Sequence, residues 1–322
     1  MNHKNVSRDI ALGLRELQER IRKAQIPSSK IDESLNLATW NIREFGKEKR
    51  SKAAVHLIAE ILGQFDLIAI AELRDNLKDL GRVMAILGPY WRAVYSDYLE
   101  DPGGNRERFA YLYDERAVTF TGLASEADPP RKKNARTGEY ESLITWWRNP
   151  YIGSFRSSSL DFIVVTAHIR WGDDPAARSK ELSMLADWVD RRVKDKSWED
   201  KDIIVVGDFN IPSLDDSLYK AVTAKGLRAP TPLLRTDIGT DLEKVKRYDQ
   251  ILHYPKFTKS FSNNGGILDF YDGDYAKLFP GMTLSKQEFT YQVSDHLPLW
   301  VQLNTDVETE RLEQIINLPV RH

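Results

Sequence analysis

Cysteine is absent from the 322 residues of this chain. That excludes disulfides, thiolate metal sites and a cysteine nucleophile, and is neutral about compartment beyond that. Long apolar runs are missing too: nothing approaches the ~18 to 20 consecutive apolar residues of a membrane span. Neither sign of charge is in surplus, with 46 Lys and Arg against 48 Asp and Glu and a net charge of -2. A protein that coats nucleic acid through overall charge is therefore disfavoured. A nuclease is not, because a local basic rim can offset an acidic pocket. The opening Met1-Asn2-His3-Lys4 runs into a charged amphipathic stretch and not into the apolar core of a signal peptide. A soluble, cytoplasmic protein is the expectation, with no membrane contact and no obligate protein partner.

What the chain does contain is apolar strand patterns that end in polar residues. With 41% apolar residues it can bury a sizeable core. Five short runs end in groups able to hold a metal beside a phosphate. These are Thr39-Trp40-Asn41, Ala71-Glu72, Ala167-His168, Gly207-Asp208-Phe209-Asn210 and Ser294-Asp295-His296, the last placed before its strand. Sites on α/β scaffolds are commonly built where buried strands meet loops. Five such junctions read as one convergent site for metal-assisted phosphate chemistry.

Three segments are expected. Residues 1–34 form an amphipathic helical extension with Ile10, Leu14, Leu17, Ile21 and Ala24 on one stripe, stopped by Pro27. Residues 35–305 form one α/β domain, because the site residues need one another. Residues 306–322 add a helix over Glu308 to Asn317 and a tail. Within the domain the patterns predict helices over Ser51 to Phe65 and Pro175 to Lys194. Strands are predicted over Asp66 to Ala71, Tyr90 to Tyr95, Phe109 to Tyr113, Ala117 to Thr121, Tyr151 to Phe155, Leu160 to His168, Asp202 to Val206, Tyr248 to His253 and Leu299 to Leu303. Phe109 to Tyr113 and Ala117 to Thr121 read as a hairpin across Asp114-Glu115, and Asp128 to Gly138 as a polar, basic loop. Arg131, Lys132, Lys133 and Arg136 make it one of several local basic clusters, beside Arg43 with Lys47, Lys49 and Arg50, and Arg106 with Arg108.

Each candidate has a bland reading. Glu72 at a strand end suits a hard divalent cation, which takes oxygen ligands, but a salt bridge to Arg74 would also satisfy it. Asn41 can serve a phosphate–metal assembly or simply form a turn. Asp208 and Asn210, two apart, project to one side if the segment is extended; an Asx turn is the alternative. Asp295 and His296 are adjacent and so point to different sides. His168 and His296 are the natural proton carriers if carboxylates fix their tautomers, and Glu107 and Asp249 are the candidates for that. The other four histidines have no such setting and are expected to be structural. Trp146-Trp147, directly before Arg148, reads as site wall.

These motifs occur in the order found in the endonuclease/exonuclease/phosphatase family, which the chain resembles over about residues 35 to 305, most of all its deoxyribonuclease I branch. The segments that carry the resemblance are Leu37 to Gly46, Glu72-Leu73-Arg74-Asp75, Glu107 to Tyr113, Arg148-Asn149-Pro150, Gly207 to Asn210, Tyr248 to Ile251 and Ser294-Asp295-His296. The resemblance implies an α/β four-layer sandwich of two packed mixed β-sheets flanked by helices, with the site at one end. It implies Glu72 as the main metal ligand, with Asn41 and Asp295 around the metal and phosphate. Asp208 and Asn210 would orient water and phosphate; His168 with Glu107, and His296 with Asp249, would be the acid–base couples. Arg148 would contact a phosphate oxygen, and Arg43 and Arg74 match positions that meet DNA in that branch. Departures are Asn105, where that branch has a tyrosine, the missing disulfide loop, and Gln250, where many relatives have arginine.

The expected function is a Mg²⁺-dependent phosphodiesterase (Mn²⁺ possible) acting as an endonuclease on nucleic acid, DNA more than RNA. The rivals are a phosphatase or phospholipase of the same fold acting on a small phosphoester such as an inositol phosphate or sphingomyelin, and a non-enzymatic binding protein.

Overall fold

The computed structural model describes residues 1–98, 105–143, 146–172, 174–198, 200–308, 312, 313 and 316. In chain order the elements begin with α1 (Arg8–Lys23), β1 (Ser34–Phe45), α2 (Lys52–Leu62), β2 (Leu67–Leu73), α3 (Lys78–Leu87), β3 (Trp91–Tyr95) and β4 (Arg108–Asp114). There follow β5 (Thr119–Glu126), β6 (Arg131–Lys133), β7 (Tyr140–Ser142), β8 (Tyr151–Ser157), β9 (Leu160–His168), α4 (Pro175–Lys194) and β10 (Ile203–Asp208). The chain continues through α5 (Ser217–Thr223), β11 (Asp249–His253), β12 (Phe261–Ile267), α6 (Lys286–Gln292) and β13 (Leu299–Asn304).

Two mixed sheets form the centre, one in the order β12-β13-β1-β2-β4-β3 and the other β11-β10-β9-β8-β5. Each has a parallel pair in its middle, β1 with β2 and β9 with β10, flanked on both sides by antiparallel strands. A parallel pair is buried on both faces, which explains the continuous apolar runs Leu67 to Ala71 and Ile203 to Val206. Alternation then assigns the faces. Leu37, Leu67, Ala69 and Tyr111 pack with the core shared by both sheets, whereas Ala38, Trp40, Ile68 and Ile70 pack with the helical layer of α1, α2 and α3. Leu182, Leu185 and Val189 of α4 and Leu218 and Val222 of α5 cover the other sheet. The result is the four-layer α/β sandwich. Tyr111 locks the layers together: its hydroxyl donates to Tyr151 O (2.7 Å) and accepts from Thr166 Oγ1 (2.9 Å).

The N-terminal stripe behaves as its spacing predicts, with Leu14 and Leu17 buried and Ile10, Ile21 and Ala24 packed against the helical layer. Ser7 caps α1 by accepting from Ile10 N. The expected hairpin across Asp114-Glu115 does not form. β4 lies in the first sheet and β5 in the second, so the chain changes sheets there, and β5 pairs with β8 instead. A connection this short looks like a hairpin in sequence, but the face alternation of β4 and β5 serves two different sheets. The basic segment after Asp128 is partly ordered as the two-stranded ribbon β6–β7. α3, α5, α6 and β12 were not anticipated, and most of the helix expected over Glu308 to Asn317 and the tail lies outside the described residues.

Candidate active site

Alternation also decides what reaches the gap between the sheets. Asn41 shares parity with Leu37 and Thr39, Glu107 with Phe109 and Tyr111, and His168 with Thr166, so all three side chains turn inward. Register adds the rest. Asp208 is the direct partner of His168 on one side and of Asp249 on the other, which sets three ionisable side chains in a row across β9, β10 and β11.

Glu72 breaks this rule and reaches the site by a different route. By parity it belongs with Ile68 and Ile70 on the helical face. Its φ of +60° and the loss of register between Ile70 and Leu73 swing it inward. A left-handed non-glycine residue costs of order 1–3 kcal/mol, and such strain concentrates at functional sites. Across the bulge, Glu44 (φ +44°) donates its backbone N–H to Glu72 Oε2 at 2.8 Å.

Asn41 joins the two sheets chemically. Its Nδ2 donates to Glu72 Oε1 (2.9 Å) and to Asp208 Oδ2 (3.0 Å). Two carboxylates fix the amide orientation, because a carbonyl facing them would be repelled. Asn41 Oδ1 is left buried without a hydrogen-bond partner. An orphaned carbonyl oxygen beside two carboxylates is an all-oxygen, anionic donor set of the kind that hard divalent cations take. Asp295 stands apart from this set: its carboxylate is about 40% exposed and pairs with Arg43 Nη1 at 3.3 Å. Among the described residues no three His, Asp or Glu side chains already form a metal cage.

The two imidazoles flank Asp208. His168 Nε2 lies 3.7 Å and His296 Nε2 3.8 Å from Asp208 Oδ2. Each ring is held from behind through Nδ1, His168 by Glu107 Oε2 (3.1 Å) and His296 by Asp249 Oδ2 (2.7 Å). Burial pulls the His296 pKa down, but Asp249 and Asp208 outweigh it and hold it well above the ordinary imidazole value. Burial and Arg148 pull His168 down, while Glu107 and Asp208 carry it upward to a net rise. Burial opposes ionisation of Glu107, yet His168, Arg148 and Arg74 bring its pKa down to about 2. Asp249 is raised: burial opposes its ionisation most, His296 beside it pulls the other way, and Asp208 adds to the rise.

Loops lock these strand ends. Asp208 Oδ1 accepts from Asn210 N (2.9 Å), and Asn210 Nδ2 donates to Ile169 O (2.7 Å). Asn210 has φ +51° and donates its backbone N–H to Asp208 Oδ1, so the segment is the Asx turn weighed as the alternative and not extended chain. Gly207 permits that exit: at φ +129° an added Cβ would sit 2.0 Å from Ala167 O. Ser294 Oγ donates to Asn41 O (2.7 Å) and accepts from His296 N (3.0 Å), a link that sequence reading left without a role.

The arginines are engaged within the protein. Arg74 is buried, pairs with Glu44 (2.8 Å) and lies 3.8 Å from Glu107, in place of Glu72. Arg148 clamps Glu107, with Nε 2.9 Å from Oε2 and Nη2 donating to Oε1 at 3.0 Å. Arg43 donates to Thr290 Oγ1 (2.6 Å) and lies over the Tyr291 ring. Trp146 is core, edge-on to Trp188, and not site wall. Trp171 and Tyr248 were missed: the Trp171 ring meets Tyr248 edge-on at 5.7 Å, and Tyr248 tilts over His296 at 5.8 Å. Trp171 lies in a loop, where periodicity gives no signal, and Tyr248 sits one residue before β11 and not inside it as the pattern predicts.

Paired mixed sheets with carboxylate-held imidazoles at their open end define an α/β sandwich with the groups of a hydrolase. A sequence model of the endonuclease/exonuclease/phosphatase family matches residues 38–296, and the chain belongs to that family of hydrolases. It is 30% identical over 301 residues to a "Deoxyribonuclease" of Thioalkalivibrio sp. (strain K90mix), covering 86% of this chain and 72% of that one. It is 26% identical over 289 residues to "Deoxyribonuclease gamma" of Rattus norvegicus, covering 84% and 85%. A solved structure of Bacteroides thetaiotaomicron mannosyl-6-phosphatase Bt3783 shares the fold, with a TM-score of 0.52, 17% identity and coverage of 83% and 98%.

Proposed function

We propose that this protein is a Mg²⁺-dependent phosphodiesterase that cleaves DNA internally, with Mn²⁺ able to replace Mg²⁺. The observation that carries the reading is the pair of carboxylate-held imidazoles whose Nε2 atoms face one oxygen of Asp208. The deoxyribonuclease relatives support DNA as the substrate. Glu72 and Asn41 Oδ1 would hold the divalent cation, which when bound neutralises charge on the scissile phosphate. Asp208, fixed by Asn41 and Asn210, orients the attacking water. As its oxygen bonds to phosphorus and the bond to the leaving oxygen breaks, His168 Nε2 takes the proton of the water and His296 Nε2 delivers one to the leaving oxygen. His296 is assigned the acid because Asp249 and Asp208 favour its protonated form, whereas Arg148 opposes a proton on His168. Arg148 acts by fixing Glu107, and through it the His168 tautomer.

Supercoiled plasmid, single-stranded DNA, RNA and a phosphomonoester, each incubated with purified protein and Mg²⁺, test this. Plasmid nicking is expected, lost in excess chelator and nearly lost in Glu72→Ala. Rapid release of phosphate from the monoester, with every nucleic acid intact, would favour a phosphatase instead.

A further inference from the structure

Beside the acid–base groups, three loops raise aromatic rings that the chemistry above does not use. Trp171 follows His168 by three positions, and 66% of its surface is open to solvent. Its edge rests on Tyr248, which in turn leans on His296, so the indole stands at the mouth of the candidate site. Arg178 places its guanidinium 5.7 Å from the Trp171 ring centre and donates to Asn210 O (3.2 Å). Trp147, directly before Arg148, carries a second such pair, with the Arg170 guanidinium 5.7 Å from its ring centre. Glu181 of α4, itself buried, organises this side: its carboxylate accepts from Trp147 N (2.9 Å) and Arg170 N (3.5 Å).

Two tryptophan–arginine pairs, one of them with its arginine on α4, alternate π-faces with cations next to a phosphate-directed centre. That alternation suits a single strand: bases stack on the rings, while arginines meet backbone phosphates and the ring faces themselves. Bases inside a duplex have both faces already stacked and cannot use such a ring without unpairing. We propose that Trp171, with Trp147 beside it, is a stacking lip for an unpaired nucleobase flanking the scissile phosphate. The preferred substrate is then single-stranded or locally unpaired DNA. The proposal rests on the phosphodiesterase reading and names the form of its substrate.

Binding measured in chelator, where no cleavage is needed, separates the two ideas. Fluorescence anisotropy would compare a short thymidine oligonucleotide with its abasic counterpart on wild type, Trp171→Ala and Trp171→Phe. Wild type should bind the base-bearing strand about 5- to 140-fold more tightly, the range for stacking one base on an aromatic ring. Trp171→Ala should lose most of that difference while binding the abasic strand nearly as before, and Trp171→Phe should keep much of it. Equal weakening on both strands would make Trp171 a support for Tyr248 and overturn the proposal, as would an unchanged difference. Base-dependent binding that needs Trp171, with no cleavage of any nucleic acid, would support the lip and sink the phosphodiesterase reading alone.

Discussion

At the scale of single residues, the site works through partners more than through isolated groups. His168 and His296 share Asp208 as a neighbour, so they are expected to act as a unit. General acid–base groups typically contribute ~10² to 10⁴-fold, and coupled residues are not additive. His168→Ala and His296→Ala should each fall in that range on DNA, and the double variant should be little worse than either. Two small losses that multiply would show that one imidazole only supports structure. Arg74 shows the opposite case, a residue that resembles a DNA contact but is buried between Glu44 and Glu107. Removing one partner of a buried ion pair costs ~3–5 kcal/mol. Arg74→Ala should therefore lower stability to urea by about that amount, whereas Arg43→Ala, at a partly exposed site, should lower it little. A fully stable Arg74→Ala variant with weaker DNA binding would restore the groove-contact role.

At the scale of elements, strand ends carry the chemistry and single backbone positions aim them. Gly207 lets β10 press against β9 while turning out at Asp208. Gly207→Ala should push these strands apart, costing both stability and activity, with activity falling further because Asp208 and His168 lose their register. Activity within a few-fold of wild type would contradict that. The N-terminal segment is tied down differently: His3 contacts His56 of α2 (Nδ1 to Nδ1, 2.9 Å) and Glu60 (2.7 Å). Burial, then His3 nearby, depresses the His56 pKa to about 4. A histidine with a depressed folded pKa stays neutral in the native state while the unfolded chain takes up a proton below ~6.5. Stability is thus complete above ~6.5 and declines as pH falls toward 4. Denaturant titrations across that window should show the decline in wild type and a shallower one in His56→Gln. Parallel slopes would mean that other groups dominate.

At the scale of the whole molecule, the site exists only because two sheets meet. Asn41 and Glu72 come from one sheet and Asp208 from the other. The cation proposed on Glu72 and Asn41 Oδ1 would bind only the folded state, and so would stabilise it by ~2.7 kcal/mol at a hundredfold excess over Kd. Mg²⁺ should raise Tm in wild type and much less in Glu72→Ala; an equal rise in both would place the ion elsewhere.

Most of the strand order, the helices α1, α2 and α4, and the identity of the polar residues at each strand end follow from the sequence alone, while both histidine–carboxylate pairings came from the family resemblance. The first three are local patterns: period-two alternation, a helical stripe, a glycine before a turn. Only the tertiary structure decided which sheet each strand joins. The step from β4 to β5 has the length of a hairpin turn and in fact crosses layers, because sheet membership depends on long-range pairing. It also decided the fate of the arginines: a long charged side chain can reach substrate or fold back, and Arg74 and Arg148 fold back onto Glu107. Glu72 depended on both levels. Its place at the end of an apolar run is written in the chain, but its entry to the site is a left-handed backbone at one bulge, which residue spacing cannot encode.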